Sequence, residues 1–166
     1  LIAQCIRDPK PNEWKIAMVF CKKYENRFAC TGFKREIWYE FAGHIWNEID
    51  GAHSILKLFP TEFFSLFNSY LKGLQANSEN LEGDEQSENT KKQSKCLKIM
   101  ELLQTSSFHT NLLKMVKLEF YDAKFIQKRD QQMHLFACAN GVLDLKAQVF
   151  RPGRPDDYIT LTNGRN

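Results

Sequence analysis

Large apolar residues are concentrated between Ile37 and Asp50, whereas apolar positions along most of the remaining chain recur at helical spacing. Aromatic and β-branched residues dominate this stretch, and such residues favour strands because their bulk fits a pleated, half-buried surface. Ala42-Gly43-His44 interrupts the run with a short turn in which glycine can take a positive φ. The pattern predicts a β-hairpin at the centre of the core.

Most of the remaining chain shows helical spacing. Asp8-Pro9 and Pro11-Asn12 are typical of a helix start. A helix of about four turns is predicted to carry one apolar face, formed by Trp14, Ala17, Met18, Cys21, Tyr24 and Phe28. A second helical region runs from His53 to Gln75, with a break expected at Pro60 because proline lacks an amide donor. This region is apolar on more than one face. That breadth suggests packing against two elements or a contact with another protein.

The segment from Asn77 to Asn89 differs in composition, since it is acidic and nearly devoid of apolar residues. Four lysines follow it between Lys91 and Lys98. Such a segment buries too little surface to offset the cost of ordering. We therefore predict a flexible, solvated insertion at about residues 77–92 that points away from any nucleic acid.

Two further helices are predicted over 97–104 and from Ser106 or Ser107 to Phe120.

Extended structure returns near the end of the sequence. Leu135 to Ala139 looks like a buried strand, Asn140-Gly141 is a turn signal, and two short strands are predicted over 142–145 and 149–151. The two prolines of Arg151-Pro152-Gly153-Arg154-Pro155 favour an exposed, stiff connection. The predicted fold class is α+β, mostly helical with two small antiparallel β-hairpins, in a single domain over residues 1–166.

Composition narrows the possible functions only slightly. The 166 residues are 43% hydrophobic and carry a net charge of +3, which is weak support for a nucleic-acid partner. The five cysteines have no metal-ligand spacing, so we expect reduced thiols in a cytosolic or nuclear compartment rather than a zinc site. No apolar run suggests a membrane span and no signal peptide is visible. Both ends look cut, so we expect a part of a larger protein.

The motifs of common catalytic sites are missing from the sequence. No glycine-rich loop ends in Gly-Lys-Ser or Gly-Lys-Thr, so ATP binding is not expected in this chain. Asp156-Asp157 is the only adjacent carboxylate pair, and it fits a turn cap or a partner of Arg154 better than two-metal chemistry. No histidine, including His44, has a partner at ligand spacing. We predict neither a catalytic residue nor a metal site.

Two groups of residues are candidates for nucleic-acid binding. The hairpin aromatics, with Trp38 at an edge beside Lys34 and Arg35, could stack on bases, although core packing is the competing interpretation. Arg151 and Arg154 are held by rigid neighbours, which would lower the ordering cost of binding a phosphate. Salt bridges from these arginines to Asp156 and Asp157 are the alternative.

Taken together, WYEFAGHIWNEID and ANGVLDLKAQVFRPGRPDDYIT resemble the domain that precedes the superfamily 3 helicase motor in poxvirus and asfarvirus types of primase-helicase, from nucleocytoplasmic large DNA viruses. One difference is that Lys146-Ala147-Gln148 lacks the glycine often present after the Asp-Leu pair. The residues that carry the resemblance are Trp38, Phe41, Gly43, His44, Trp46, Asp130, Asn140, Gly141, Asp144, Arg151, Pro152 and Asp157.

The resemblance implies a non-catalytic collar domain that links a primase module to a hexameric, ATP-dependent DNA helicase motor. ATP and Mg would then bind in other domains of the parent protein, and this chain would hold no cofactor. The implied partners are the protein's own primase and helicase domains, further copies in a homo-hexamer, and DNA, in the host cytoplasm without a membrane. Two alternatives remain: an interaction module using the apolar face of Phe59 to Leu74, or a modest single-stranded DNA binder using the hairpin.

Overall fold

A computed structural model describes residues 1–32, 36–78 and 81–162, and it has the α+β fold that the sequence predicts. The chain forms two compact units, each built from two separate stretches of sequence. The helical unit comprises Leu1–Lys23 and His53–Glu119, and the sheet unit comprises Tyr24–Ala52 and the residues from Phe120 onward. Within the described residues, no helix combines the length and apolar character needed to cross a membrane.

The helical unit contains six α-helices and a π-helical turn among the described residues. Its elements are α1 (Ile2–Cys5), α2 (Glu13–Lys23), α3 (His53–Leu58), the π-helical turn (Phe59–Phe63), α4 (Phe64–Ser78), α5 (Gly83–Leu102) and α6 (Ser106–Glu119). Asn12 starts α2, because its Oδ1 accepts a hydrogen bond from the Lys15 backbone N–H at 3.1 Å. The predicted apolar face of this helix was wrong at Trp14, which is 52% exposed, and at Phe28, because α2 ends at Lys23 and Phe28 lies in a strand.

The chain does not break at Pro60, contrary to the sequence prediction. It passes from α3 into α4 through the π-helical turn, in which hydrogen bonds span five residues and leave room for a proline without an amide donor. Phe59 and Phe63 from this turn are fully buried and pack edge-on against Phe20, with ring centroids 4.9 and 5.2 Å apart. Phe67 is also fully buried. Much of the broad apolar surface from Phe59 to Leu74 is therefore used inside the unit.

Helix α5 replaces most of the loop expected over residues 77–92. Its first turn carries Asp84 and Glu85, and its lysines lie in later turns, so the charges that suggested disorder match the helix macrodipole. Asn89 is buried and donates hydrogen bonds to the Leu74 carbonyl at 2.9 Å and to Ser78 Oγ at 2.7 Å. The prediction of a loop was wrong from Gly83 onward, because anchoring contacts to α4 are invisible in a local composition window.

The described residues of the sheet unit form two three-stranded antiparallel sheets. The first has the order β1-β2-β3 and the second has the order β4-β5-β6. The elements are β1 (Phe28–Cys30), β2 (Ile37–Ala42), β3 (Ile45–Asp50), α7 (Phe125–Lys128), β4 (Leu135–Cys138), β5 (Gly141–Asp144), β6 (Val149–Arg151) and a 3-10 turn (Pro155–Asp157). Each predicted hairpin is thus present, and a third strand extends it.

Much of the core in the described part of the sheet unit belongs to two apolar clusters. In the first, Tyr39 and Trp46 pack with Phe125, whose ring centroid lies 4.7 Å from that of Tyr39 and 5.2 Å from that of Trp46. The second cluster consists of Leu135, Ala137, Val142 and Ile159, with Ile45 packed against it. The hairpin aromatics therefore supply much of the core, as the core-packing interpretation of the sequence expected.

Candidate nucleic-acid interface

Arg151 forms the most completely paired charge cluster near the predicted phosphate contacts. Its Nη1 and Nη2 donate to the two carboxylate oxygens of Asp157 at 2.8 and 2.7 Å, and its Nη1 also donates to the Pro152 carbonyl at 3.1 Å. Asp144 lies 3.9 Å from the same guanidinium. The side chains of Arg151 and Asp157 are only 17% and 7% exposed. This geometry is the two-pronged pairing for which the planar guanidinium is suited.

The electrostatics of the pair favour its ionised form. Burial alone would raise the pKa of the Asp157 carboxyl, but hydrogen bonds from Arg151 and from the Arg154 backbone N–H outweigh burial and lower that pKa. The hydrogen bond to Asp157 in turn raises the pKa of Arg151. Of the two readings offered by the sequence, the structure shows the salt bridge for Arg151. Arg154 is exposed and contributes its backbone N–H to Asp157, 2.8 Å away, so a phosphate contact by its side chain stays a prediction.

The turn of the first hairpin is joined directly to the proline-rich connection. Gly43 has a φ of +67° in this turn, which glycine adopts without strain. The next residue, His44, accepts a hydrogen bond at Nδ1 from the Gly153 N–H, 3.1 Å away. A Cβ at position 153 would lie 2.2 Å from the His44 carbonyl oxygen. His44 therefore has a structural role, and Gly153 is required by the close approach of two backbones.

Asp130 and Asp144 both use their carboxylates to hold nearby backbone. Asp130 has a φ of +56°, accepts from the Thr160 N–H at 2.8 Å and also bonds the Thr160 hydroxyl. Asp144 accepts from the backbone N–H groups of Lys146 and Ala147 at 3.1 and 3.0 Å. The turn that follows has Gln148 at a φ of +54°, a backbone conformation that residues other than glycine rarely adopt. These family-motif aspartates thus fix loops of the sheet unit.

The Asn140-Gly141 signal correctly predicts a turn, although the glycine serves another purpose. Cys138 pairs with Gly141, so the turn consists of Ala139 and Asn140, and Gly141 is the first residue of β5. A Cβ on Gly141 would lie 2.6 Å from Cζ of Phe150 and 2.8 Å from the Arg151 carbonyl oxygen. The glycine is needed here because the Phe150 ring occupies the space above it.

The aromatic hairpin offers few rings to a ligand. Trp38 is fully buried, and its Nε1 has no hydrogen-bond partner in the described part of the chain. Trp46 is 5% exposed and donates from Nε1 to the Pro155 carbonyl at 2.9 Å, while Phe41 packs edge-on against it at 5.5 Å. Base stacking on Trp38 is therefore incompatible with this structure. Lys34 and Arg35 lie outside the described residues.

Sequence reasoning missed the exposed face of the second sheet. Phe136 on β4 and Phe150 on β6 are 49% and 53% exposed, and each pairs in register with Leu143 on β5 between them. The expectation that β4 is wholly buried was wrong, because Leu135 and Ala137 face the core while Phe136 faces solvent. The alternation is hidden in a strand without polar residues. The signal that could have revealed this exposed face is the spacing of Phe136, Leu143 and Phe150, which places one large apolar residue at the same level of each strand.

The described residues include no group of three or more His, Cys, Asp and Glu side chains arranged to hold a metal ion. All five cysteines are free thiols, and only Cys138 is not buried.

The geometry defines an α+β domain whose motif residues mainly hold one another in place. Comparison with known sequences then identifies the family: residues 17–162 match the family described as D5 N terminal like, and the chain belongs to it.

Its similarity to individual viral proteins agrees with this assignment. A protein of Acanthamoeba polyphaga mimivirus named "Putative helicase L207/L206" is 30% identical over 146 residues, which cover 88% of this chain and 15% of that protein. Frog virus 3 (isolate Goorha) has a relative named "Putative helicase 022R", 25% identical over 87% of this chain and 18% of its own length. The resemblance to the large-DNA-virus helicase domain is confirmed at the level of the family.

Proposed function

We propose that this chain is the non-catalytic collar of a viral replicative primase-helicase, linking a primase module to a hexameric helicase motor. The observation that carries the proposal is the family membership, together with relatives that are named as helicases. The matched region covers only 15 and 18% of those relatives, so each of them is about five to seven times longer than that region. In this proposal ATP and Mg bind in the parent's other domains. Its partners are those domains, further copies of the protein and DNA, at a replication site in the host cytoplasm.

The arrangement of the motif residues supports a positioning role. Arg151 pairs with Asp157, His44 contacts Gly153, and Asp130 holds the segment around Thr160. The His44 and Asp130 contacts join parts of the sheet unit that are 109 and 30 residues apart in sequence, and the pair of Arg151 with Asp157 holds the proline-rich connection across six residues. A collar needs such rigidity, because it must hold neighbouring domains in register while a motor changes shape.

The alternative of a protein-interaction module using the apolar surface from Phe59 to Leu74 is less well supported. Phe59, Phe63 and Phe67 are fully buried, and Leu71 is 5% exposed. Their side chains contribute to the core of the helical unit and offer little area to a partner. No observation on this surface favours a recruiting function over the collar.

Ring assembly tests the proposal directly. The 166-residue chain and a longer version that continues through the region following it in the parent protein should be compared by light scattering with size separation. We expect the short chain to be monomeric or weakly associating, and the longer protein to form hexamers and hydrolyse ATP with Mg. A longer protein that remains monomeric in the presence of ATP and Mg, or that lacks ATPase activity, would contradict the collar assignment.

A further inference from the structure

The outer face of the second sheet is a solvent-facing row of aromatic and aliphatic side chains. Successive residues of a strand point to opposite faces, and Leu135, Ala137 and Val142 point into the core. Phe136, Leu143 and Phe150 therefore share the other face. They form one cross-strand row, here called the outer row, with a ring at each end.

The Phe150 ring is held in place although it is exposed. Its Cζ and Cε1 lie 2.6 and 2.9 Å from the position that a Cβ on Gly141 would occupy, so the ring rests on the glycine backbone. Phenylalanine has only two side-chain torsions, and packing against a backbone restricts them further. A ring ordered before a ligand arrives costs little entropy when the ligand binds.

The charges around the outer row suit an anionic ligand. Between Gln131 and Pro155 the only acidic residue is Asp144, whose strand position places it on the core side with Val142. Its carboxylate already accepts two backbone hydrogen bonds. Lys146 is exposed in the turn that follows β5. A polyanion approaching this face would meet no exposed carboxylate from the sheet.

The size of the outer row argues against a stable dimer contact. A phenylalanine buries about 150–250 Å² when fully enclosed, so three side chains that are 37 to 53% exposed offer roughly 200–350 Å². A standard protein interface needs about 800 Å² from each partner. The outer row is large enough for two or three nucleobases but too small for a second copy of the chain to bind stably through it.

We propose that the outer row binds single-stranded nucleic acid, with bases stacked on Phe136 and Phe150 and the backbone close to Lys146. Every base has a π-face, so exposed rings on a sheet surface bind single strands with little sequence preference. The inference rests on the proposed function, because DNA is the polymer that a replicative primase-helicase handles. It moves the stacking surface from the first hairpin to the second sheet.

Anisotropy of a fluorescein-labelled oligothymidylate of about 12 nucleotides, within the site sizes of single-strand binders, tests the proposal with the full chain. Phe136→Ala and Phe150→Ala should each weaken binding by about 5-fold to 150-fold, the typical effect of losing one stacked base. Phe150→Leu should lose binding as well, whereas Phe150→Tyr should retain it. Met133→Ala is the matched control, since Met133 is apolar, 90% exposed and outside the outer row.

Two further measurements separate stacking from charge and DNA from RNA. Lys146→Ala should reduce the slope of log K against log salt by about 0.7, one phosphate contact on a single strand, while the phenylalanine variants should leave that slope unchanged. An oligouridylate of the same length should bind with similar affinity if the bases alone are recognised. A preference of more than tenfold for either sugar would identify the natural polymer. Circular dichroism should confirm that each variant remains folded.

Several results would overturn the stacking proposal. One is the absence of oligonucleotide binding by the unaltered chain at low salt, and another is full binding by Phe150→Leu, which would indicate a merely apolar contact. Self-association of the chain that Phe136→Ala abolishes would identify a protein-docking surface instead. Ring assembly of the longer protein is measured separately. Stacking can therefore fail while the collar proposal stands, and a failed collar would leave the anisotropy result intact.

Discussion

Replacing Asp157 with alanine should be among the most damaging single changes in the sheet unit. The substitution removes the two carboxylate oxygens that accept from the Arg151 guanidinium, and one of them, Oδ2, also accepts from the Arg154 backbone N–H at 2.8 Å. Arg151 would keep Asp144 at 3.9 Å and the Pro152 carbonyl at 3.1 Å. A largely buried cation would thus lose its main partner, which is costlier than losing an exposed pair.

The expected loss can be worked from these contacts. Removing one partner of a buried ion pair costs about 3–5 kcal/mol. The Arg151 side chain is 17% exposed, so water can still reach part of it, and we take the lower end, about 3 kcal/mol. Asp156 is the matched control, because it is the neighbouring aspartate, is exposed, and offers its backbone carbonyl rather than its carboxylate to Gln132. Asp156→Ala should change stability by less than about 0.5 kcal/mol.

Urea unfolding followed by tryptophan fluorescence measures both variants, since Trp46 bonds the Pro155 carbonyl beside the ion pair. With a urea slope of about 2 kcal/mol/M, a loss of about 3 kcal/mol lowers the midpoint by roughly 1.5 M. The double variant Arg151→Ala with Asp157→Ala should be no less stable than Asp157→Ala, because the unpaired cation is gone. Equal midpoints for Asp157→Ala and Asp156→Ala would refute the reasoning.

The same pair predicts a pH dependence. The pKa of Asp157 is lowered in the folded state, so the folded protein holds this proton less tightly than the unfolded chain does. The contribution of the carboxylate to stability is therefore fully present above the unfolded pKa of about 3.9 and is lost as the pH falls through the folded pKa. The stability difference between the unaltered chain and Asp157→Ala should shrink on acidification below about pH 4. A constant difference down to pH 2 would contradict this assignment.

Three further predictions concern other sites. Gly153→Ala should destabilise the chain by about 3 kcal/mol, because the new Cβ would lie 2.2 Å from the His44 carbonyl oxygen. Gly73→Ala should instead stabilise α4 by about 1 kcal/mol, because nothing lies within 4 Å of the new Cβ. The urea midpoints of the two variants measure both changes in stability. Gln148→Gly should raise the melting temperature by relieving a positive φ worth about 1 kcal/mol. Iodoacetamide should alkylate Cys138 well before the four buried thiols, as mass spectrometry would show. Burial raises the pKa of three of those thiols, to about 11 for Cys5 and Cys96 and about 12 for Cys21.

Local signals account for most of what the sequence predicted correctly. The hairpin around Gly43 was predicted because turn chemistry and strand propensity lie within a few residues of each other. Asn12 was one of two helix starts predicted, beside Asp8, for the same reason, since a cap is a local contact. The choice between phosphate and carboxylate for Arg151 stayed open, because both interpretations use the same residues and only the fold brings Asp157 within 2.8 Å.

Features that depend on distant contacts were beyond the sequence. Helix α5 forms where composition suggested a loop, since Asn89 is held by the end of α4 rather than by its neighbours. Trp38 was taken as a candidate for stacking, but a fully buried position follows only from the packing of the whole unit. The exposed rings of Phe136 and Phe150 were missed because a strand without polar residues does not indicate which face meets solvent.

The interleaved order of the two units has a consequence for how the chain can be made and divided. During synthesis β1 to β3 leave the ribosome before His53–Glu119, and that whole segment follows before Pro155 can accept its hydrogen bond from Trp46, 109 residues away. Phe125 and Tyr158, which complete the apolar cluster of the first sheet, also come from this later stretch of the chain. Any shortened version that ends before α7 should therefore retain the helical unit but expose the hairpin aromatics, and should aggregate through them.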